Sequence, residues 1–208
     1  MTYSNKEEPK ENPARPEGAA GERMLDRMNA SHEPIRAFAF PLLSWRENMR
    51  ILDVGCGGGA AIAEMLKLSP GSIIDGIDYS EVSVQKSSLL NRDYLGSRCF
   101  VQQADVSALP FETDTFDLTT AVETVYFWPD IRAGLREIFR VLKPSGTFAI
   151  LNEGSDPDHN DWPKIDGFMR IYRPEELEQL LRECGFQNIR TQHGPEQIIC
   201  VTGCKPEL

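Results

Sequence analysis

From residue 50 onward, short apolar runs alternate with longer stretches in which apolar residues recur every three or four positions. The runs at 50–54, 72–77, 99–103, 116–121 and 147–152 have the length and apolar density of strands. Between them, 59–68, 81–95 and 131–142 carry the helical period. Repeated strand–helix–strand alternation predicts a parallel sheet covered on both faces by helices. The last part changes character. "RPEELEQLLRECGF" is an amphipathic helix with Pro174 early and Gly185 as its stop, and "QNIRTQ" and "QIICVTGCK" read as two strands joined by "HGPE". A short turn between strands requires an antiparallel pair, so the sheet is expected to be mixed.

Upstream of the first strand, "RMLDRMNASHEPIRAFAFPLLSW" is helical in pattern. Met24, Leu25 and Met28 start an apolar stripe that Ile35, Phe38 and Leu42 continue, with Ser31 as an N-cap and Pro34 in the first turn of a second helix. Residues 1–21 are polar, with Pro9, Pro13 and Pro16 among charges, which predicts a disordered tail. The expected organisation is one domain over 22–208 whose residues 22–48 form an N-terminal helical cap. Its fold class is α/β, Rossmann-like and doubly wound, with a mostly parallel seven-stranded sheet and an antiparallel C-terminal strand.

Composition changes this picture little. The 208 residues are 40% hydrophobic and 26% charged, ordinary for one globular domain. The net charge of -10 argues against a nonspecific grip on nucleic acid, which needs clustered Lys and Arg. No run approaches the roughly 20 apolar residues that span a bilayer, so no membrane partner is expected. Five scattered cysteines, Cys56, Cys99, Cys184, Cys200 and Cys204, read as free thiols of a cytoplasmic protein.

Candidate chemistry begins at "ILDVGCGGGAA", where the first strand runs into a glycine-rich turn. Glycine tolerates positive φ and lets ligand atoms approach the main chain. Gly55, Gly57 and Gly59 fit D-x-G-x-G-x-G, while Gly55, Gly57 and Ala60 fit the dinucleotide pattern G-x-G-x-x-G/A. Asp78, about 20 positions downstream, is the acid expected at ribose hydroxyls in either case. On the turn alone, S-adenosylmethionine and NAD remain alternatives.

The next block, "QQADVSALPFETDTFDLTTAVE", carries a resemblance. Together with "ILDVGCGGG", the acid closing the second strand and "REIFRVLKPSGTFAI", it resembles the small-molecule branch of the class I S-adenosylmethionine-dependent methyltransferases, over about residues 50–152. That resemblance implies S-adenosyl-L-methionine as cofactor and methyl transfer to a small-molecule acceptor as activity. A protein that binds S-adenosylmethionine or S-adenosylhomocysteine without transfer, or an NAD-dependent oxidoreductase, is the alternative. It also implies roles by position: Asp53 orients the turn and the cofactor's amino group, Gly55, Gly57 and Gly59 pass the methionine and ribose, and Asp78 binds ribose. Tyr79 packs on adenine, while Asp105 and the Val106 backbone read the adenine edge.

Acceptor-facing groups are expected from three places. After the fourth strand, "AVETVYFWPD" offers Glu123, Thr124, Tyr126, Phe127 and Trp128 at a strand's carboxyl end, where open α/β sheets bind ligands. Glu123 also counts among the cofactor contacts. The cap offers Met28, Asn29 and His32. The stretch after the fifth strand offers Asn152 and Glu153, followed by Asp156, Asp158, His159 and Asp161, which read as solvated loop charge because they match no metal-ligand spacing. Catalytic candidates are thus Glu123, Tyr126 and His32, and no metal is expected.

Overall fold

The computed structural model describes residues 12–159 and 169–207. Strands β1 (Arg50–Val54), β2 (Ile73–Asp78), β3 (Cys99–Gln103), β4 (Phe116–Val122), β5 (Leu142–Asn152), β6 (Gln187–His193) and β7 (Ile199–Cys204) form one sheet in the order β3-β2-β1-β4-β5-β7-β6. β1 to β5 are parallel; β7 runs antiparallel to β5 and β6. β1, β2 and β4 are buried along almost their whole length because helices cover both faces, which explains their unbroken apolar runs. The chain winds outward from β1 to β3 and then crosses back to β4. β1 and β4 therefore flank a switch point, the place where such sheets leave a crevice beyond their carboxyl ends.

Two cores sandwich the sheet. Under α5 (Ile131–Val141) and α6 (Pro174–Glu183), Leu135, Ile138, Leu177 and Leu181 pack on Phe116, Phe148 and Ile150. On the other face Ile35 of α2 (Glu33–Ala39) and Ile62 and Met65 of α3 (Ala60–Leu68) pack on Ile51, Ile74, Leu118 and Leu151. Asp130 caps α5 by accepting from the Ala133 N–H at 3.0 Å, and Gly185, at φ +98°, lets the chain leave α6. α4 (Glu81–Leu90) stops at Leu90 rather than 95, because the buried Asn91 side chain donates to the Ser87 and Gly59 carbonyls and turns the backbone out of the helix.

The N-terminal reading needs correction. α1 spans Gly18–Ser31, so the expected tail of 1–21 is helical in its last four residues. Residues 12–17 precede it as described chain; the Pro16 carbonyl accepts from Ser80 Oγ at 2.6 Å, and the close approach of Pro16 to Gly21 leaves no room for a Cβ there. Residues 1–11 lie outside the described residues. Ser31 is the last residue of α1, with its hydroxyl donating back to the Met28 carbonyl; His32, not Ser31, takes the cap position of α2. Leu42 leaves the apolar stripe and is exposed. The Lys86–Asp26 ion pair at 2.7 Å links α1 to α4.

At the opposite end from the switch-point crevice, Asp117 of β4 accepts from the Arg50 N–H at 2.8 Å and from Lys143 Nζ at 2.9 Å, joining the starts of β1, β4 and β5. Partial burial raises its carboxyl, but the Arg50 N–H and the Lys143 ammonium outweigh this and hold it below its ordinary 3.8. Its stabilising effect is complete above pH 3.8 and is lost as pH falls through the lower folded value. Asp117→Asn is expected to cost about 1 kcal/mol near neutral pH. Melting temperatures across pH should show the gap between the two proteins closing below pH 4, roughly.

Candidate functional site

The crevice at the carboxyl ends of β1 and β4 is floored by the turn from Gly55 to Gly59. Three glycines there have positive φ: Gly55 (+73°), Gly57 (+50°) and Gly59 (+83°). Their surroundings separate their purposes. A Cβ on Gly55 would overlap the Thr124 side chain, one on Gly59 would strike Ser87 and Asn91, and one on Gly58 would overlap Asn29. At Gly57 the nearest atom is Leu25 Cδ2 at 3.8 Å, so its backbone faces room. Gly55 and Gly59 are required by packing, and Gly57 is the point where the bare main chain meets open space.

Asp78 closes this turn from β2. Its Oδ2 accepts from the Gly57 N–H at 2.9 Å and its Oδ1 from the Ser80 N–H at 2.8 Å. Burial raises its carboxyl, and those two N–H groups partly offset the rise. Asp53 lies fully buried under the turn, accepting from Thr120 Oγ1 at 2.7 Å across the β1–β4 pairing. Burial pushes its carboxyl up to about 6, against the Thr120 hydrogen bond and the Arg36 guanidinium. Thr120 and Arg36 were not singled out from sequence. The signal for Thr120 is the parallel register that sets it beside Asp53.

Asp105 is exposed beyond β3 and holds Ser107 through Oδ1, from its N–H at 2.8 Å and its hydroxyl at 2.7 Å, while Oδ2 accepts no hydrogen bond among the described residues. The Val106 N–H has no partner among them either, and its side chain packs toward α5 near Gly134. Tyr79 is 53% exposed, with the Arg15 guanidinium 5.1 Å over its ring.

On the other side of the turn lies a second group. Glu123, just past β4, is only 6% exposed and has φ +57°, uncommon for a residue with a side chain. Its Oε1 accepts from the Tyr126 hydroxyl at 3.1 Å and from the Glu153 N–H. The Tyr126 hydroxyl in turn accepts from the Gly154 N–H at 2.9 Å. His32, from the junction of α1 and α2, brings a ring nitrogen to within 4.8 Å of a carboxylate oxygen of both Glu123 and Glu153. Burial, and then the Arg36 charge, lower its imidazole to about 4, so it is neutral at physiological pH. Burial and the facing Glu153 carboxylate push Glu123 well above the usual range.

The structure thus gathers all three catalytic candidates, Glu123, Tyr126 and His32, and adds Glu153. Asn29 from the cap donates to the Gly58 carbonyl at 3.2 Å. Met28 is half-buried, Thr124 is committed to Gly55, and Trp128 belongs to the core, packed on Gly134. Asn152 is fully buried, and neither amide atom has a hydrogen-bond partner among the described residues. Asp156, Asp158 and His159 are tied together and to Arg173: Asp156 accepts from Arg173 at 3.0 Å and from the His159 ring at 2.7 Å. Asp161 lies outside the described residues. A groove of about 560 Å³ between the start of α5 and α6 is lined by Trp128, Arg132, Tyr172 and Glu176; Trp128 is its one candidate residue, and Glu123, Tyr126 and His32 lie outside it.

A family model described as a methyltransferase domain matches residues 52–150. Over those residues the chain carries the domain of the class I S-adenosylmethionine-dependent methyltransferases. Their cofactor is S-adenosylmethionine, and that choice separates the two ligands the glycine pattern left open. A sterol 24-C-methyltransferase of Debaryomyces hansenii is 28% identical over 76% of this chain and 44% of its own length. A cycloartenol-C-24-methyltransferase of Arabidopsis thaliana is 30% identical over 71% of this chain and 47% of its own. The chain therefore spans less than half the length of the curated relatives it matches. Among solved structures, a SAM-dependent methyltransferase from Aquifex aeolicus superposes with TM-score 0.73 at 19% identity, covering 88% of this chain and 98% of that one. The [4+2]-cyclase SpnF superposes with TM-score 0.65 at 22% identity, covering 91% and 83%. At these identities the likeness carries the fold.

The residues present fit the cofactor: bare backbone at Gly57, a carboxylate at the end of β2, and an Asp105 Oδ2 and Val106 N–H with no hydrogen-bond partner among the described residues. The two kinds of glycine give a differential expectation. Gly57→Ala carries only the left-handed penalty, about 1–2 kcal/mol, and Gly55→Ala adds overlap with Thr124. In thermal melts Gly57→Ala should lose less stability than Gly55→Ala, yet it should lose S-adenosylhomocysteine affinity through the filled space.

Proposed function

We propose that this domain transfers a methyl group from S-adenosylmethionine to a small-molecule acceptor in the cytoplasm. One observation carries the reading: the glycine turn after β1 and the Glu123–Tyr126–His32 group beside β4 meet at the carboxyl ends of adjacent strands, where Thr124 packs on Gly55. The sulfonium supplies a methyl carbon already activated toward displacement. What remains for the protein is alignment, and well-oriented reactants gain on the order of 7–11 kcal/mol.

In this reading Asp53, 1% exposed and steered by Thr120, faces the cofactor's amino group. Gly57 passes the methionine and ribose, and Gly55 and Gly59 keep the turn in shape. Asp78 serves ribose while holding the turn closed. Asp105 Oδ2 and the Val106 N–H read adenine, and the exposed Tyr79 ring lies alongside. Glu123 borders both cofactor and acceptor, with Tyr126 and His32 beside it.

The relatives named for C-24 of sterols and of cycloartenol support a small organic acceptor. The -10 charge argues against nucleic acid. Among the described residues no helix is long and apolar enough to cross a membrane, and all five cysteines are free, as suits a reducing compartment.

An acceptor screen read by S-adenosylhomocysteine release tests the activity: at least one acceptor should give catalytic turnover. Tight S-adenosylhomocysteine binding without turnover of any acceptor would instead favour a binding protein. Asp105→Ala, at an exposed position, should leave the melting temperature within a degree or two and weaken S-adenosylhomocysteine about 10-fold. Unchanged affinity removes the adenine role.

A further inference from the structure

His32, Glu123 and Glu153 come from three separate parts of the chain, yet a donor atom of each lies within 4.8 Å of the other two. Two carboxylates held this close, one of them 6% exposed, repel each other and lose hydration. Proteins offset such a cost with a cation. Here neither glutamate forms an ion pair with any Lys or Arg among the described residues. Arg36, the cap guanidinium whose charge acts on His32, is committed to Glu64 at 2.7 Å and to the Asn29 carbonyl at 3.1 Å. Glu196 adds further negative charge near Glu153.

The buried Glu123 carboxylate spends Oε1 on Tyr126 and the Glu153 N–H; no hydrogen bond from the described residues reaches its Oε2. The His32 ring makes no hydrogen bond among the described residues. An unpaired imidazole and a half-satisfied buried carboxylate thus converge on one point beside a second carboxylate.

We propose that His32, Glu123 and Glu153 form a divalent-cation site. One nitrogen and two carboxylate donors suit an ion of the manganese, iron(II) or zinc kind rather than a soft thiophilic metal. Three protein ligands leave coordination positions open. At the strand ends beside the glycine turn, those positions suit an acceptor that chelates through oxygen, such as a vicinal diol or a hydroxy acid. The acceptor half of this proposal rests on the methyl-transfer reading. The metal half does not.

The test uses the full chain, stripped with a chelator and saturated with S-adenosylhomocysteine. Mn²⁺ is titrated in while its free aqueous signal is followed by electron paramagnetic resonance, and Zn²⁺ is titrated in parallel by calorimetry. One site per chain is expected, weakened at least 10-fold in both Glu153→Gln and His32→Gln and unchanged in Asp156→Asn. Both altered residues are only part-buried, and retained S-adenosylhomocysteine binding certifies the fold of each variant. If wild-type protein binds neither metal, or Glu153→Gln and His32→Gln bind like wild type, the site is refuted. Loss on Asp156→Asn instead places any metal on the exposed loop and also refutes it. Intact S-adenosylhomocysteine binding in those cases leaves the methyltransferase reading standing.

Discussion

The hydrogen bond from the Gly57 N–H to the Asp78 carboxylate is the constraint on which the site depends. It ties the loop after β1 to the end of β2 and holds a backbone conformation that only glycine adopts without strain. Neighbouring side chains shut every other way out: Thr124 fills the space beside Gly55, Asn29 that beside Gly58, and Ser87 and Asn91 that beside Gly59. The turn is therefore set by β4's exit, the N-terminal cap and α4 together. What is left bare is Gly57.

The same packing links the glycine turn to the Glu123–Tyr126–His32 group. Thr124, which braces Gly55, directly follows Glu123, and Asn29, which braces Gly58, stands one helical turn before His32. A shift in the cap would move both the turn and the imidazole. Arg36 extends this coupling, since its guanidinium bridges Glu64 on α3 and the Asn29 carbonyl while its charge acts on both His32 and Asp53. The cap is thus part of the site's wall.

How much of this was legible in the sequence depends on how local each feature is. β1 and β3 have the expected bounds, since their apolar runs end at clear turn residues. β5 starts five residues early, at Leu142, because Leu142 pairs with Phe116 of β4 before the register breaks over 143–146 and resumes at Thr147. The positions of the glycine turn, Asp78 and Asp105 could be read because they lie at or just past strand ends and need no knowledge of pairing. The tail reading failed for 12–21 because composition cannot register a single hydrogen bond such as Ser80 to Pro16. The group around Glu123 needed the sheet. Glu153 was offered with Asn152 as a strand-end group, and only the Val122–Leu151 register brings it beside Glu123, since two parallel strands finish side by side and each is followed by a glutamate. That signal was present in "TTAVE" and "AILNE", but only pairing gives it meaning.

The central claim is that this turn holds a sulfonium nucleotide and not a dinucleotide. Calorimetric titration of the purified chain with S-adenosylhomocysteine and, separately, with NADH tests it most directly. The account predicts saturable one-to-one binding of S-adenosylhomocysteine and no saturable heat with NADH. Saturable NADH binding with no response to S-adenosylhomocysteine would contradict it.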